Sequence, residues 1–83
     1  MACTYALFSD KTRKFYIGSS REDDASIRLA AHNSGRTRST KAWRPWKLIF
    51  EEAYPDYTAA RQRENFLKTG QGRKLLKEKM LKL

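Results

Sequence analysis

From Ala2 to Ser9 the chain alternates Cys3, Tyr5 and Leu7 with Ala2, Thr4, Ala6 and Phe8, a period of two that predicts a strand. A second run, KFYIGSS at 14–20, follows the polar tetrapeptide DKTR, and the pair predicts a β-hairpin. If Ser9 pairs with Lys14, Tyr5 faces Gly18 and Leu7 faces Tyr16. The two tyrosines then lie diagonally on one face, roughly 7 to 8 Å apart at the backbone. A slip of one residue would put them on opposite faces. The period then becomes helical over 23–35 (DDASIRLAAHNSG), with aspartate at the N-cap and Gly35 at the stop. On this helix Arg28 and His32, four apart, form a polar strip between Leu29 and Ala31, a pattern that suits a cleft wall. An irregular basic loop, RTRSTKAWRP, precedes a third strand, WKLIFEEAY at 46–54, with Pro45 holding Arg44 extended. Two more helices are predicted: 57–70, capped by Thr58 and stopped by Gly70, and a basic amphipathic one over 72–83. Tyr57, Ala60, Glu64 and Leu67 share one face of the former. Glu64 therefore interrupts an apolar stripe, where a carboxylate is costly unless a cation, a metal or hydrogen bonds compensate it.

Eighty-three residues suit one domain, 1–83, with a compact core that buries roughly 60 to 65% of the unfolded surface. Nothing resembles a signal peptide, and the longest apolar run, LIF at 48–50, is far short of the roughly 20 residues that span a bilayer. The expectation is a soluble, cytoplasmic protein, nucleoid-associated in a bacterium. Cys3, the single cysteine, reads as a small buried hydrophobe. Charge changes the picture more. The net +9 is concentrated in residues 36–47, which hold Arg36, Arg38, Lys41, Arg44 and Lys47 without an acid, and in 61–83, where eight bases meet only Glu64 and Glu78. Such localisation favours a nucleic acid over an anionic membrane, because phosphates neutralised by Lys and Arg release counterions.

The inventory excludes several chemistries. His32 is the only histidine, no D-x-D pair occurs, and PD at 55–56 has no downstream acid-x-Lys triplet, so two-metal and multi-histidine designs fail. There is no glycine-rich phosphate loop and no Ser/His/Asp set. What remains is Tyr5, Tyr16, Arg28, His32 and the inward-leaning Glu64. With YIG intact at Tyr16–Gly18, Tyr5 ten residues upstream, and RLAAHNSG, RSTK, RPWKLIF and ARQRENFLKTGQGRKLLK following in order, the chain resembles the GIY-YIG nuclease family from about Cys3 to Lys77. The likeness is to the short single-domain branch similar to the catalytic module of UvrC-type repair enzymes. Cys3 and Thr4 depart from the glycine and isoleucine of the first element, and the acidic loop after the YIG is about two residues longer than usual for this branch.

The resemblance implies an α+β fold, a small three-stranded antiparallel sheet flanked by about three helices, and metal-dependent hydrolysis of DNA phosphodiesters in repair, recombination or processing. It implies one Mg²⁺ or Mn²⁺ ion on Glu64, whose single carboxylate leaves most of the metal's coordination to water and phosphate oxygens. Arg28 would neutralise the pentacoordinate phosphate. Tyr5 is the first candidate to position or deprotonate the attacking water, with Tyr16 and His32 sharing the placement of water and phosphate. The residues alone leave open which of the three is the base. Gly18 is expected to leave the face beside the tyrosines open to a phosphate. Nucleic-acid contacts are expected from Gly18, Arg36, Arg38, Lys41, Trp43, Arg44, Arg73 and Lys74, with Trp43 available to stack an unpaired base and Trp46 in the core. The expected partner is DNA, in single-stranded or branched form, and not a membrane. Two other readings compete: a binding module on the same fold without catalysis, and a membrane-surface protein using the last helix.

Overall fold

The computed structural model describes residues 1–22 and 24–81. Its elements are β1 (Ala2–Ser9), β2 (Lys14–Ser20), α1 (Ser26–Asn33), a 3₁₀ turn (Lys41–Trp43), β3 (Trp46–Tyr54), α2 (Tyr57–Leu67) and α3 (Gly70–Leu81). The three strands form an antiparallel sheet in the order β2-β1-β3. The fold is thus the α+β arrangement of three strands and three helices. All eight residues of β1 are buried, because it is the central strand and both of its faces are covered.

The strands coincide with their expected bounds and the hairpin has the expected register, pairing Ser9 with Lys14, Leu7 with Tyr16 and Tyr5 with Gly18. Period-two alternation on the central strand sorts its side chains into two cores. Ala6 and Phe8 join Ile17, Ile49, Phe50, Leu67 and Leu76 beneath α2 and α3, while Cys3, Tyr5 and Leu7 join Ala25 and Trp46 beneath α1. A register shift in the β1–β3 pairing between Ala6 and Leu7 lets the consecutive Ile49 and Phe50 enter the same core.

The helix ends differ from expectation. The helix expected over 23–35 is Ser26–Asn33, and residue 23 lies outside the described residues. Its N-cap is Ala25, without a side-chain bond, because the Asp24 carboxylate turns onto the backbone N–H and hydroxyl of Ser26 at 2.9 and 2.6 Å. Its stop is as expected. Gly35 has φ +83°, and the N–H groups of Gly35 and Arg36 bond the carbonyls of His32 and Ala31 in a Schellman arrangement. The cap of α2 is Asp56, not Thr58, since the Asp56 carboxylate accepts from Ala59 N at 2.8 Å. Gly70 opens α3 instead of closing α2. The Thr69 hydroxyl accepts from Gly72 N at 3.2 Å, which caps a new helix at that point. Residues 82–83 of the expected last helix are outside the described residues.

Candidate active site

Hairpin register and helix placement bring three of the expected residues together on the α1 side of the sheet. Tyr5 and Tyr16 have ring centroids 6.4 Å apart, and the His32 ring lies 4.5 Å from that of Tyr16 and 6.2 Å from that of Tyr5. Trp46 closes the cluster, 6.2 Å from Tyr16 and 6.4 Å from His32. Tyr5 and His32 are both buried.

The hydrogen bonds give this cluster a direction. The Thr40 hydroxyl donates to the Thr37 carbonyl at 3.3 Å, so its oxygen accepts at His32 Nδ1, 2.9 Å away, and Nδ1 carries the imidazole proton. Nε2 is left with a lone pair facing the Tyr5 hydroxyl at 3.4 Å, so Tyr5 donates to His32. Burial, with help from the charge of Arg28, lowers the His32 pKa from 6.5 and keeps the ring neutral near pH 7. Burial, then neighbouring Tyr16 and Glu64, pushes the Tyr5 phenol far above its ordinary value, with Arg28 pulling partly the other way. Tyr5 is therefore a protonated donor that needs an acceptor, and His32 is aimed to be one.

Gly18 serves this geometry in a different way from that expected. A Cβ there would lie 2.7 Å from the Tyr5 hydroxyl oxygen and 3.2 Å from the Tyr16 ring. The Tyr5 phenol fills the space above Gly18, so the missing side chain makes room for the tyrosine.

Arg28 stands at the rim, its side chain 48% exposed, with Nε 3.5 Å from the Ser20 hydroxyl and 3.8 Å from a Glu22 carboxylate oxygen. Glu64 is buried on α2, which packs on the other face of the sheet, where the Thr4 hydroxyl donates to the Ala60 carbonyl at 2.6 Å. Its carboxylate receives Lys68 Nζ at 2.7 Å and the Ser19 hydroxyl at 2.5 Å, with Arg61 Nε at 3.6 Å. Burial alone would raise this carboxyl's pKa. The Lys68 and Ser19 hydrogen bonds and the charges of Lys68 and Arg61 outweigh it and hold Glu64 ionised. Glu64 and Tyr16 nevertheless line one cleft of about 310 Å³ together with Phe15, Ile17, Lys68 and Arg73. That cleft opens along the unpaired edge of β2, so the groups from the two faces meet at the strand's rim.

No group of three or more histidine, cysteine or acidic side chains that could hold a metal occurs among the described residues. Glu64 offers an ionised, hard oxygen ligand beside a cleft, which fits a cation that keeps several water ligands. Lys68 would have to yield Oε2 to it.

Of the expected nucleic-acid contacts, Arg38, Lys41 and Arg44 line a cleft of about 600 Å³ with Lys11 and Asn33, where Arg44 Nε donates to the Lys41 carbonyl at 2.9 Å. Trp43 and Arg73 line a second, of about 470 Å³. Arg36 and Lys74 are exposed, outside these clefts. Trp46 is core, and Trp43 is half-buried against it with centroids 6.1 Å apart. Sequence reasoning missed Thr40, Ser19 and Lys68. Only Lys68 had a signal, its i, i+4 spacing from Glu64 on a helix.

Among the described residues no helix is long and apolar enough to cross a membrane. The family model described as the GIY-YIG catalytic domain matches residues 1–77. No curated protein and no solved structure matches the chain.

Proposed function

The chain belongs to the GIY-YIG catalytic domain family, whose fold is of nuclease type, and on that premise we propose that it is a metal-dependent DNA endonuclease acting at the cleft that Tyr16 shares with Glu64, with Tyr5 and His32 behind Tyr16. The observation that carries this reading is the directed path from the Tyr5 hydroxyl to His32 Nε2, with Nδ1 fixed by Thr40, beside the cleft that Tyr16 shares with Glu64. As water attacks the phosphorus, its proton goes to the Tyr5 oxygen while the Tyr5 proton passes to His32 Nε2. The imidazolium so formed keeps its Nδ1–H bond to Thr40. This removes the need for a free phenolate, which burial makes unfavourable. Of the three candidates for the base, Tyr5 takes the water's proton, His32 is its acceptor, and Tyr16 packs against His32 and walls the cleft.

Arg28 lies at the rim within electrostatic reach of both Tyr5 and His32, and would meet the charge that grows on the phosphate oxygens. Glu64 would hold one Mg²⁺ or Mn²⁺ ion, which when bound supplies charge for the leaving 3′ oxygen. The substrate is DNA in single-stranded or branched form, cut with little base preference because the available contacts are cationic and address phosphates. A role in DNA repair or processing and a cytoplasmic location go with that substrate. The test is a panel of single-stranded, duplex and flapped oligonucleotides incubated with Mg²⁺, Mn²⁺ or chelator. Cleavage of at least one with metal and none with chelator is expected. Salt-sensitive binding without cleavage of any would replace the enzyme with a binding module.

A further inference from the structure

The cleft holding Glu64 does not end at Tyr16. It shares Phe15 and Arg73 with the neighbouring cleft, so the two run into each other along the free edge of β2, from the Glu64 carboxylate to Trp43. The outer cleft is lined by four cations, Arg13 and Lys14 from the end of the hairpin and Arg73 and Lys77 from α3, and by no acid. All four are exposed, and no carboxylate pairs with any of them among the described residues. Its remaining lining is aromatic. Trp43 is half-buried, its carbonyl held by the Ser9 hydroxyl at 2.7 Å, and Lys14 Nζ stands 5.3 Å from its ring centroid. Phe15 rests on Phe8 with centroids 5.3 Å apart.

Cations without carboxylate partners along a groove attract phosphates, and aromatic surface between them takes the flat face of a base. A duplex offers its phosphates outward but keeps its base faces stacked, so it would leave Trp43 and Phe15 without a contact. We propose that this groove binds a single-stranded segment next to the scissile phosphate, with Arg73, Lys77, Arg13 and Lys14 along its backbone and an unpaired base against Trp43. The inference rests on the nuclease reading for placing the scissile phosphate at the Glu64 end. It also relocates the single-strand contact. The sequence pattern drew attention to residues 36–47, whereas the groove that joins the candidate site is built from the hairpin and α3, with only Trp43 from that loop.

The test uses the full chain in chelator and a short labelled oligonucleotide, single-stranded or as a blunt duplex, with binding read by fluorescence anisotropy. The wild type is expected to hold the single strand about fivefold or more tighter than the duplex. The double variant Lys14→Glu, Lys77→Glu should weaken single-strand binding at least about tenfold. The control change Lys47→Glu on β3, the opposite edge strand, with half the charge change of the double variant, should alter it by less than about twofold. Trp43→Leu, checked for folding by circular dichroism, should cost about fivefold on the single strand and little on the duplex. Equal binding of single strand and duplex, or a loss with the groove lysines no greater than with Lys47→Glu, overturns the proposal. Because these measurements use no metal, a protein that binds as described but never cuts would reject the nuclease reading and leave the groove standing.

Discussion

At Gly18 a single methyl group would stand 2.7 Å from the Tyr5 hydroxyl oxygen and 2.8 Å from Cζ, and the buried tyrosine cannot swing away cheaply. Gly18→Ala is therefore expected to destabilise the fold by about 1–3 kcal/mol in urea unfolding and to lower activity by displacing Tyr5 from His32. His32 sets a pH signature. Its folded pKa lies below 6.5, so it remains an acceptor at neutral pH, and cleavage should fall on acidification with an apparent pKa below that value. The same depression affects stability. Between the unfolded and folded pKa values the unfolded chain binds the extra proton, so stability is lost as pH drops through that window. Glu64 acts with the same sign at lower pH, because its folded pKa is depressed and its stabilisation disappears as pH falls through it. Thr40→Val removes the acceptor at Nδ1 and should cost about tenfold in cleavage while moving the acid limb, as with outer partners of metal-bound imidazoles. Thr40→Ser should restore both, an outcome that a purely packing role for the Thr40 methyl would not give.

The strands were legible to the residue, as was the Gly35 stop of α1, and the other helix ends were not. Alternation on Ala2–Ser9 and the four-residue loop left one register that put Tyr5 and Tyr16 together, and the sheet adopts it. Helix ends depend on which of several neighbouring polar side chains reaches a free N–H. Asp56 outcompetes Thr58 at α2, and Thr69 makes Gly70 a beginning, choices set by backbone angles that spacing does not encode. Asp56→Ala should accordingly cost about 1 kcal/mol of stability in denaturant unfolding. Gly72 matters more. A Cβ there would lie 2.3 Å from the Phe66 carbonyl and 2.4 Å from Leu67 Cα, both backbone atoms that cannot step aside. Gly72→Ala should force α3 away from α2, at about 3 kcal/mol, again measured by unfolding.

Across the whole molecule, the sequence named the candidate site residues but not how the two faces of the sheet divide them. Tyr5, Tyr16 and His32 converge beneath α1, while Glu64 approaches from α2 on the other face, and Tyr16 and Glu64 line one cleft beside β2, an edge strand. Ser19 was hidden because its partner Glu64 lies on a helix distant in sequence, and Thr40 because it reaches His32 only when the irregular loop after α1 folds back on that helix. The net charge of +9 was legible, but its division into separate clefts needed the fold. Single-strand affinity should fall with salt, with a log–log slope of about −3 if the four groove cations each meet a phosphate, and Lys77→Ala should reduce that slope by about 0.7.

Glu64 is where the account is most exposed, because the same carboxylate could simply pair with Lys68. The direct test is the single-turnover rate of cleavage of a single-stranded or flapped oligonucleotide as Mg²⁺ is titrated, for the wild type and for Glu64→Gln. The wild type should show a rate that saturates with metal and vanishes in chelator. Glu64→Gln, still folded by circular dichroism and still binding the oligonucleotide, should be slower by about 100-fold or more at every metal concentration. A wild type that fails to cut, or a Glu64→Gln variant that cuts with the same rate and the same metal dependence, would contradict it.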